Sequence, residues 1–229
     1  MPTLLHIDAS ARPGLAGRDP RGSHSRALSA RFVERWRQAT PGTRVLRRDV
    51  GLSPPAHVDH GWIAAAFTAP DAADDAMRTR LAESDALIDE LFAADIVVIG
   101  TPLYNFGMPS PLKAWVDNIV RVGRTVDIDP GSADPYTPLL AERPRIAVVL
   151  AARGGHDQSP GGAFAHMNHL EAQLRTALGF VGIDDVREIA IEYQETGGDL
   201  LAASVATAEA EVDALVDALR VSTALERAA

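Results

Sequence analysis

The sequence contains no cysteine. That removes disulfides, thiolate nucleophiles, iron–sulfur clusters and cysteine-ligated zinc from the inventory, whatever the fold. It also lacks an apolar run long enough to cross a bilayer. The first apolar stretch, Leu4 to Ile7, ends at once in Asp8, so neither a signal peptide nor a membrane span is expected there, and the expected location is cytoplasmic. Positive charge is the scarcer sign: 22 Lys and Arg against 31 Asp and Glu leave a net charge of −9. Such a surface repels phosphate backbones and anionic lipid, which argues against nucleic-acid and membrane partners. Neither GxxxxGK[ST] nor GxGxxG occurs, so the fingerprints of triphosphate and dinucleotide sites are missing too.

What is present fits one large domain, 1–229: 46% hydrophobic and 23% charged residues over 229 positions. Short apolar runs alternate with helical patterns, the signature of βαβ units around a parallel sheet. Strands are predicted over residues 4–7, 45–50, 95–100, 145–151 and 186–191. The two central runs are apolar on both faces, as strands covered by helices on both sides require. Helical spacing predicts helices over 25–38 (Leu28, Phe32, Val33, Trp36) and 79–93 (Leu81, Leu87, Ile88, Leu91). A third opens at Ser110-Pro111, with Ser as cap and Pro in the first turn, and runs to about 121. Further helices are expected over 163–178 and 200–218, followed by an Ala-rich tail expected to fray. Segments 11–22, 51–76 and 123–144 read as long irregular loops, which in compact domains serve as lids, partner contacts or insertions.

In an open parallel sheet, ligands bind beyond the carboxyl ends of the strands. After the first strand come Ser10 and then Ser23-His24-Ser25 at the head of the first helix. Free N–H donors and the helix dipole meet there, so the segment is either a phosphate site or a plain helix cap. After the third strand, residues 101–113 combine Leu103, Tyr104, Asn105 and Phe106, aromatic and amide groups suited to the face and edge of a planar heterocycle. After the fourth, Ala152-Arg153-Gly154-Gly155 places two glycines where a backbone approaches something closely, adopts positive φ, or simply turns.

Pro102-Leu103-Tyr104-Asn105-Phe106, Pro109, Leu112-Lys113-Ala114-Trp115 and Asp117 resemble the flavin loop and following helix of the flavodoxin-like FMN-dependent NADH-azoreductases, also described as FMN-dependent NADH:quinone oxidoreductases. Arg153-Gly154-Gly155 and Leu178-Gly179-Phe180-Val181-Gly182-Ile183 match in the expected order, and the resemblance spans nearly the whole chain. It implies a three-layer α/β sandwich with a five-stranded parallel sheet. By it, Ser10, Ser23, His24 and Ser25 hold an FMN phosphate, Leu103 to Phe106 line the isoalloxazine, and Ala152 to Gly155 meet its pyrimidine edge. It further implies a homodimer with sites near the subunit interface, and two-electron ping-pong transfer: NADH or NADPH delivers a hydride and leaves, and a quinone or azo acceptor takes its place. No protein nucleophile is needed. Gly154 and Gly155 N–H groups with Asn105 are expected to stabilise negative charge at the N1/C2=O side, and Tyr104 and Phe106 to orient rings.

This chain departs from the pattern at three places. Ala152 stands where the family usually has Ser, removing one hydroxyl contact. The segment between Ser10 and Ser23 is longer and adds Arg12, Arg18 and Arg21, to be either solvated or wrapped around the phosphate. Val126 replaces a common aromatic, which is expected to alter one wall of the substrate pocket. Two histidine pairs, His57/His60 and His166/His169, have spacings a metal can use, the second on one helical face, but neither has an obvious third ligand and no metal is expected. His24 and His156 sit in the site loops, where either a histidine or solvent can supply a proton. Two other classes stand beside the reductase: a flavodoxin-like electron carrier, and a hydrolase built from Ser10, His24 or His156, and Asp8, for which no GxSxG elbow exists.

Overall fold

The computed structural model describes residues 1–226, with side-chain surroundings through 221. The described chain runs β1 (Thr3–Asp8), α1 (His24–Ala39), β2 (Arg44–Asp49), α2 (His60–Ala66), α3 (Asp75–Ala93), β3 (Ile96–Pro102) and α4 (Ser110–Ile119). It continues through β4 (Val126–Ile128), β5 (Tyr136–Pro138), β6 (Ile146–Ala152), α5 (Leu170–Val181), β7 (Asp185–Ile191) and α6 (Gly198–Glu226). Five strands form an all-parallel sheet in the order β2-β1-β3-β6-β7, while β4 and β5 make a separate antiparallel pair.

Because strand side chains alternate between faces, each central strand feeds two cores. On one face Leu5, Ile7, Val97, Ile99, Ala147 and Val149 pack against α3, α4 and α5 through Leu87, Leu91, Leu112, Trp115, Leu174 and Leu178. On the other, Leu4, Val98, Val148, Leu150 and Ile189 meet Leu28, Phe32 and Trp36 of α1 and Ala208, Val212 and Val216 of α6. The result is the expected three-layer sandwich.

Several local expectations need correction. Segment 51–76 contains α2, nucleated by Asp59, whose carboxylate accepts the Trp62 N–H at 2.9 Å while Trp62 and Ala65 go inside. Helix α3 starts at Asp75, earlier than its apolar spacing suggests, because Asp74 caps it through the Met77 N–H at 2.8 Å. Segment 123–144 holds the β4–β5 pair and a 3-10 turn at Leu139–Glu142, pinned by buried Leu140. Ser110 is not the cap of α4: Pro109 is, and its carbonyl accepts from the Leu112 and Lys113 N–H groups. Helix α5 begins at Leu170, seven residues late, since a 3-10 turn at Ala165–Met167 and the Asn168 side chain reset the backbone before it. Helix α6 runs to Glu226, through part of the tail expected to fray, and residues 227–229 lie outside the described residues. His166 belongs to that 3-10 turn and His169 is the N-cap of α5, so this pair does not share a helical face.

Candidate functional site

The order of the sheet reverses between β1 and β3, and the carboxyl ends of β1, β3 and β6 lie side by side: Asp8 registers with Gly100, and Pro102 with Ala152. A crevice at such a switch is where ligands bind on this kind of sheet.

At the first strand end, Ser23 caps α1 by accepting the Arg26 N–H at 3.3 Å, and its hydroxyl meets the Ser25 hydroxyl at 3.1 Å. Ser10, Ser23 and Ser25 are all buried. Among the described residues the His24 and Ser25 N–H groups have no acceptor. A helix head with two unclaimed N–H groups beside three serine hydroxyls suits a dianion. His24 is half-buried, and burial, with the Arg12 guanidinium nearby, holds its imidazole below the usual histidine range. It therefore brings no charge to the site at neutral pH.

Beneath lies a polar network that the sequence did not reveal. Arg26, buried in the first turn of α1, grips Asp49 at the end of β2 and donates from Nη2 to the Ser10 carbonyl at 2.7 Å. Asp8 accepts from the Ser29 hydroxyl at 2.8 Å, and His6 Nε2 lies 3.0 Å from the same hydroxyl. Burial drives the Asp8 carboxyl up, but His6, Ser29 and Arg26 together outweigh it and hold the group below the usual carboxylate range. Gly100 has to be glycine here, since a Cβ would come within 2.6 Å of the Ser29 Oγ. Asp8 is thus committed to His6 and Ser29, and no Ser10–His–Asp8 relay with His24 or His156 is formed, which removes the hydrolase arrangement.

After β3, Tyr104 and Gly107 exchange N–H···O bonds of 3.2 and 3.0 Å around a turn whose two central residues, Asn105 (φ 44°) and Phe106 (φ 72°), are left-handed. Left-handed backbone at a non-glycine costs energy and collects at functional sites. The turn is held from outside, with the Leu103 N–H bonded to the Ala152 carbonyl at 2.9 Å and the Phe106 carbonyl accepting the His169 N–H at 2.9 Å. Leu103 packs on the core, whereas Tyr104, Asn105 and Phe106 are exposed.

After β6, neither Gly154 nor Gly155 has positive φ, so close approach is the reason for glycine. A Cβ on Gly154 would lie 2.5 Å from Glu195 Oε1. Among the described residues the Gly154 and Gly155 N–H groups have no acceptor. Arg153 does not point its guanidinium at a ligand: it is buried between Glu171 (2.5 Å), Glu192 (3.0 Å) and the Ser159 hydroxyl (2.8 Å). Glu192 in turn accepts the Asp157 and Gln158 N–H groups, so this unforeseen pair stiffens the loop. The His156 ring stacks on Tyr193 with centroids 4.9 Å apart and meets Phe164 edge-on. Val126, at the start of β4, is 1% exposed. Among the described residues no group of three His, Asp or Glu side chains is arranged to hold a metal.

The family model of the flavodoxin-like fold matches residues 2–216. The FMN-dependent NADH:quinone oxidoreductase 2 of Idiomarina loihiensis is 41% identical over 224 residues, covering 97% of this chain and 92% of that one. The chain belongs to this flavodoxin-like family of FMN-dependent NADH:quinone oxidoreductases. Within the family, the FMN-dependent NAD(P)H:quinone oxidoreductase 1 of Pseudomonas aeruginosa is 49% identical over 184 residues, covering 78% of this chain and 85% of its own. The fold is shared with the FMN-dependent NADH-azoreductase of Bacillus anthracis, solved in complex with FMN (TM-score 0.80, 18% identity, 95% of this chain and 99% of that one covered). The donors of this chain fit that family's cofactor: free N–H groups at the helix head suit a phosphate, and those of Gly154 and Gly155 suit the carbonyls of a ring. Ala152 brings no hydroxyl, and its carbonyl is taken by the Leu103 N–H, leaving the glycine N–H groups as the donors of that loop.

Proposed function

We propose that this protein is an FMN-dependent oxidoreductase that uses NADH or NADPH to reduce quinones and azo compounds in two alternating half-reactions, as a cytoplasmic homodimer. The observation that carries the reading is that acceptor-free N–H groups stand on both sides of the strained 104–107 turn, at the head of α1 and at Gly154-Gly155. Relatives of matching length are named as reductases, which favours turnover over a bare electron carrier. Bound FMN supplies the ring that takes up and passes on a hydride.

The chain supplies the rest. Ser10, Ser23, Ser25 and the His24 and Ser25 N–H groups hold the phosphate. Leu103 supports the ring from the core side, Tyr104 and Phe106 present exposed rings to whatever enters, and the Asn105 amide sits between them. The Gly154 and Gly155 N–H groups hold negative charge at the pyrimidine edge, as preorganised dipoles do for oxyanions. The network of Arg153 and Glu192 keeps those two donors in place. A proton for the product comes from solvent or from His156.

For the homodimer, support comes from apolar surface: a groove of about 560 Å³ between α4 and α5, lined by Met108, Val116, Val120, Ala177 and Phe180, and the exposed Ile63 and Phe67 at α2. The test is a visible spectrum of the protein with FMN, then NADH, then a simple quinone, with sedimentation in parallel. Yellow protein bleached by NADH, recoloured by quinone and sedimenting as a dimer is the expected result. A protein that saturating FMN neither colours nor activates ends the reductase reading, and a monomer ends the dimer.

A further inference from the structure

We propose that the 11–22 loop is a second phosphate subsite, beside the one at the head of α1, in which Arg12, Arg21 and Arg18 bind a phosphate ester of the dinucleotide donor. Both the dinucleotide donor and the assignment of the first subsite to FMN rest on the function proposed above.

The loop is folded rather than loose. Ala16 and Ser23 are tied by Ala16 N–H to the Ser23 carbonyl (3.1 Å), and Ser23 N–H reaches the Gly14 carbonyl (3.1 Å). Asp19 N–H bonds to the Leu15 carbonyl at 2.9 Å, and Gly22 N–H to the Asp19 carbonyl at 3.0 Å. Arg12 leaves on the incoming leg, two residues after Ser10, with its own N–H on the Ser10 hydroxyl at 3.2 Å. Arg21 stands on the outgoing leg, two residues before Ser23, and Arg18 at the tip.

These cations are unspent. Among the described residues every Lys and Arg side chain forms an ion pair except Arg12, Arg18, Arg21, Arg37, Arg44 and Arg220. Half of the exceptions therefore lie on one short loop, all three exposed, in a chain with a net charge of −9. The loop's one acid does not neutralise them, because the Asp19 carboxylate is turned inward onto the Leu15 N–H at 2.7 Å. The helix head already offers serine hydroxyls and N–H groups to one phosphate, so the three guanidinium groups of the adjoining loop serve another anion. Gly14 and Leu15 of the same loop also line a cavity of about 690 Å³ between α1 and β2, which has room for a ribose and base.

The test uses the flavin-free full chain and titrates it calorimetrically with 2′,5′-ADP, and by fluorescence with FMN and riboflavin. Arg12→Gln/Arg21→Gln is compared with Arg44→Gln/Arg220→Gln, which removes the same charge elsewhere, and with Arg12→Lys/Arg21→Lys, which keeps it. The expected result is an approximately tenfold rise in the Kd for 2′,5′-ADP in the loop Gln variant alone, with FMN unchanged and the Lys variant in between. A tenfold loss for FMN but not riboflavin, with 2′,5′-ADP unaffected, overturns the proposal, because the arginines then serve the FMN phosphate and no second subsite exists. If neither ligand weakens, or the distant variant weakens both equally, the arginines are merely solvated and the proposal falls. Binding of 2′,5′-ADP without any binding of FMN leaves the subsite standing and ends the FMN reading.

Discussion

Both Nη atoms of Arg26 bond to the Asp49 carboxylate, at 2.6 and 2.7 Å, joining the first turn of α1 to the last residue of β2. The same guanidinium holds the Ser10 carbonyl, so one buried cation fixes the strand end, the helix head and the loop between them. Removing one partner leaves the other's charge uncompensated, at a cost of about 3 kcal/mol. Arg26→Met is therefore expected to lower the urea-unfolding free energy by about that amount. Asp49→Leu in the same chain is expected to restore part of it, and FMN affinity is expected to fall in both variants, since Ser10 is released.

Asn105 carries left-handed strain that glycine does not. Asn105→Gly is expected to be neutral or stabilising by about 0.5 kcal/mol in thermal unfolding, while FMN affinity and the rate of NADH oxidation drop. A variant that gains stability and keeps both would show that the turn is strained for no functional end.

Gly22 and Gly154 separate two kinds of crowding. A Cβ at Gly22 would come within 2.3 Å of the Leu15 backbone, which cannot yield, whereas at Gly154 it meets the far end of the Glu195 side chain. Gly22→Ala is expected to cost about 2 kcal/mol of stability. Gly154→Ala should leave the melting temperature nearly unchanged and weaken FMN binding, because displaced Glu195 and the new methyl crowd the pyrimidine edge.

Acid is expected to act in two separate windows. His24 has a folded pKa below its unfolded value, so the unfolded chain takes up the extra proton, and stability present above about pH 6.5 is lost as pH falls through the folded value. Asp8 is a carboxyl with a depressed folded pKa, so its contribution, present above about pH 3.9, is lost only as pH falls through its lower folded value. Urea midpoints followed downward from about pH 7.5 should show both declines, with His24→Gln flattening the upper one alone.

Strand periods and the order of elements were legible because they depend on apolar spacing that any neighbour satisfies: 95–100 and 145–151 each fall within a residue or two of β3 and β6. The loops after β1, β3 and β6 were legible as a set, since sheet topology places them together once the strands are known. Helix α2 was not, being too short for periodicity and dependent on Asp59 as a cap. Arg153 shows the deeper limit. Next to two glycines it reads as a ligand group, but which way a side chain turns depends on acids 18 and 39 residues away, Glu171 and Glu192. Arg26 was hidden for the same reason, its partner lying at the end of another strand.

The pairing of α1 with α6 sets an order of assembly. Strands β1, β2 and β3, then β6, then β7 join the sheet in the sequence in which they leave the ribosome, so the sheet can grow outward as synthesis proceeds. The layer on the α1 side cannot, because Leu28, Phe32 and Trp36 share their cluster with Ala208, Val212 and Val216, and Arg31 is held by Glu209 and Asp213, all in the last helix made. Until synthesis reaches α6, this layer of the nascent chain lacks one of its two helices, and it is the apolar surface left open beside the first helix which a ribosome-bound chaperone would meet.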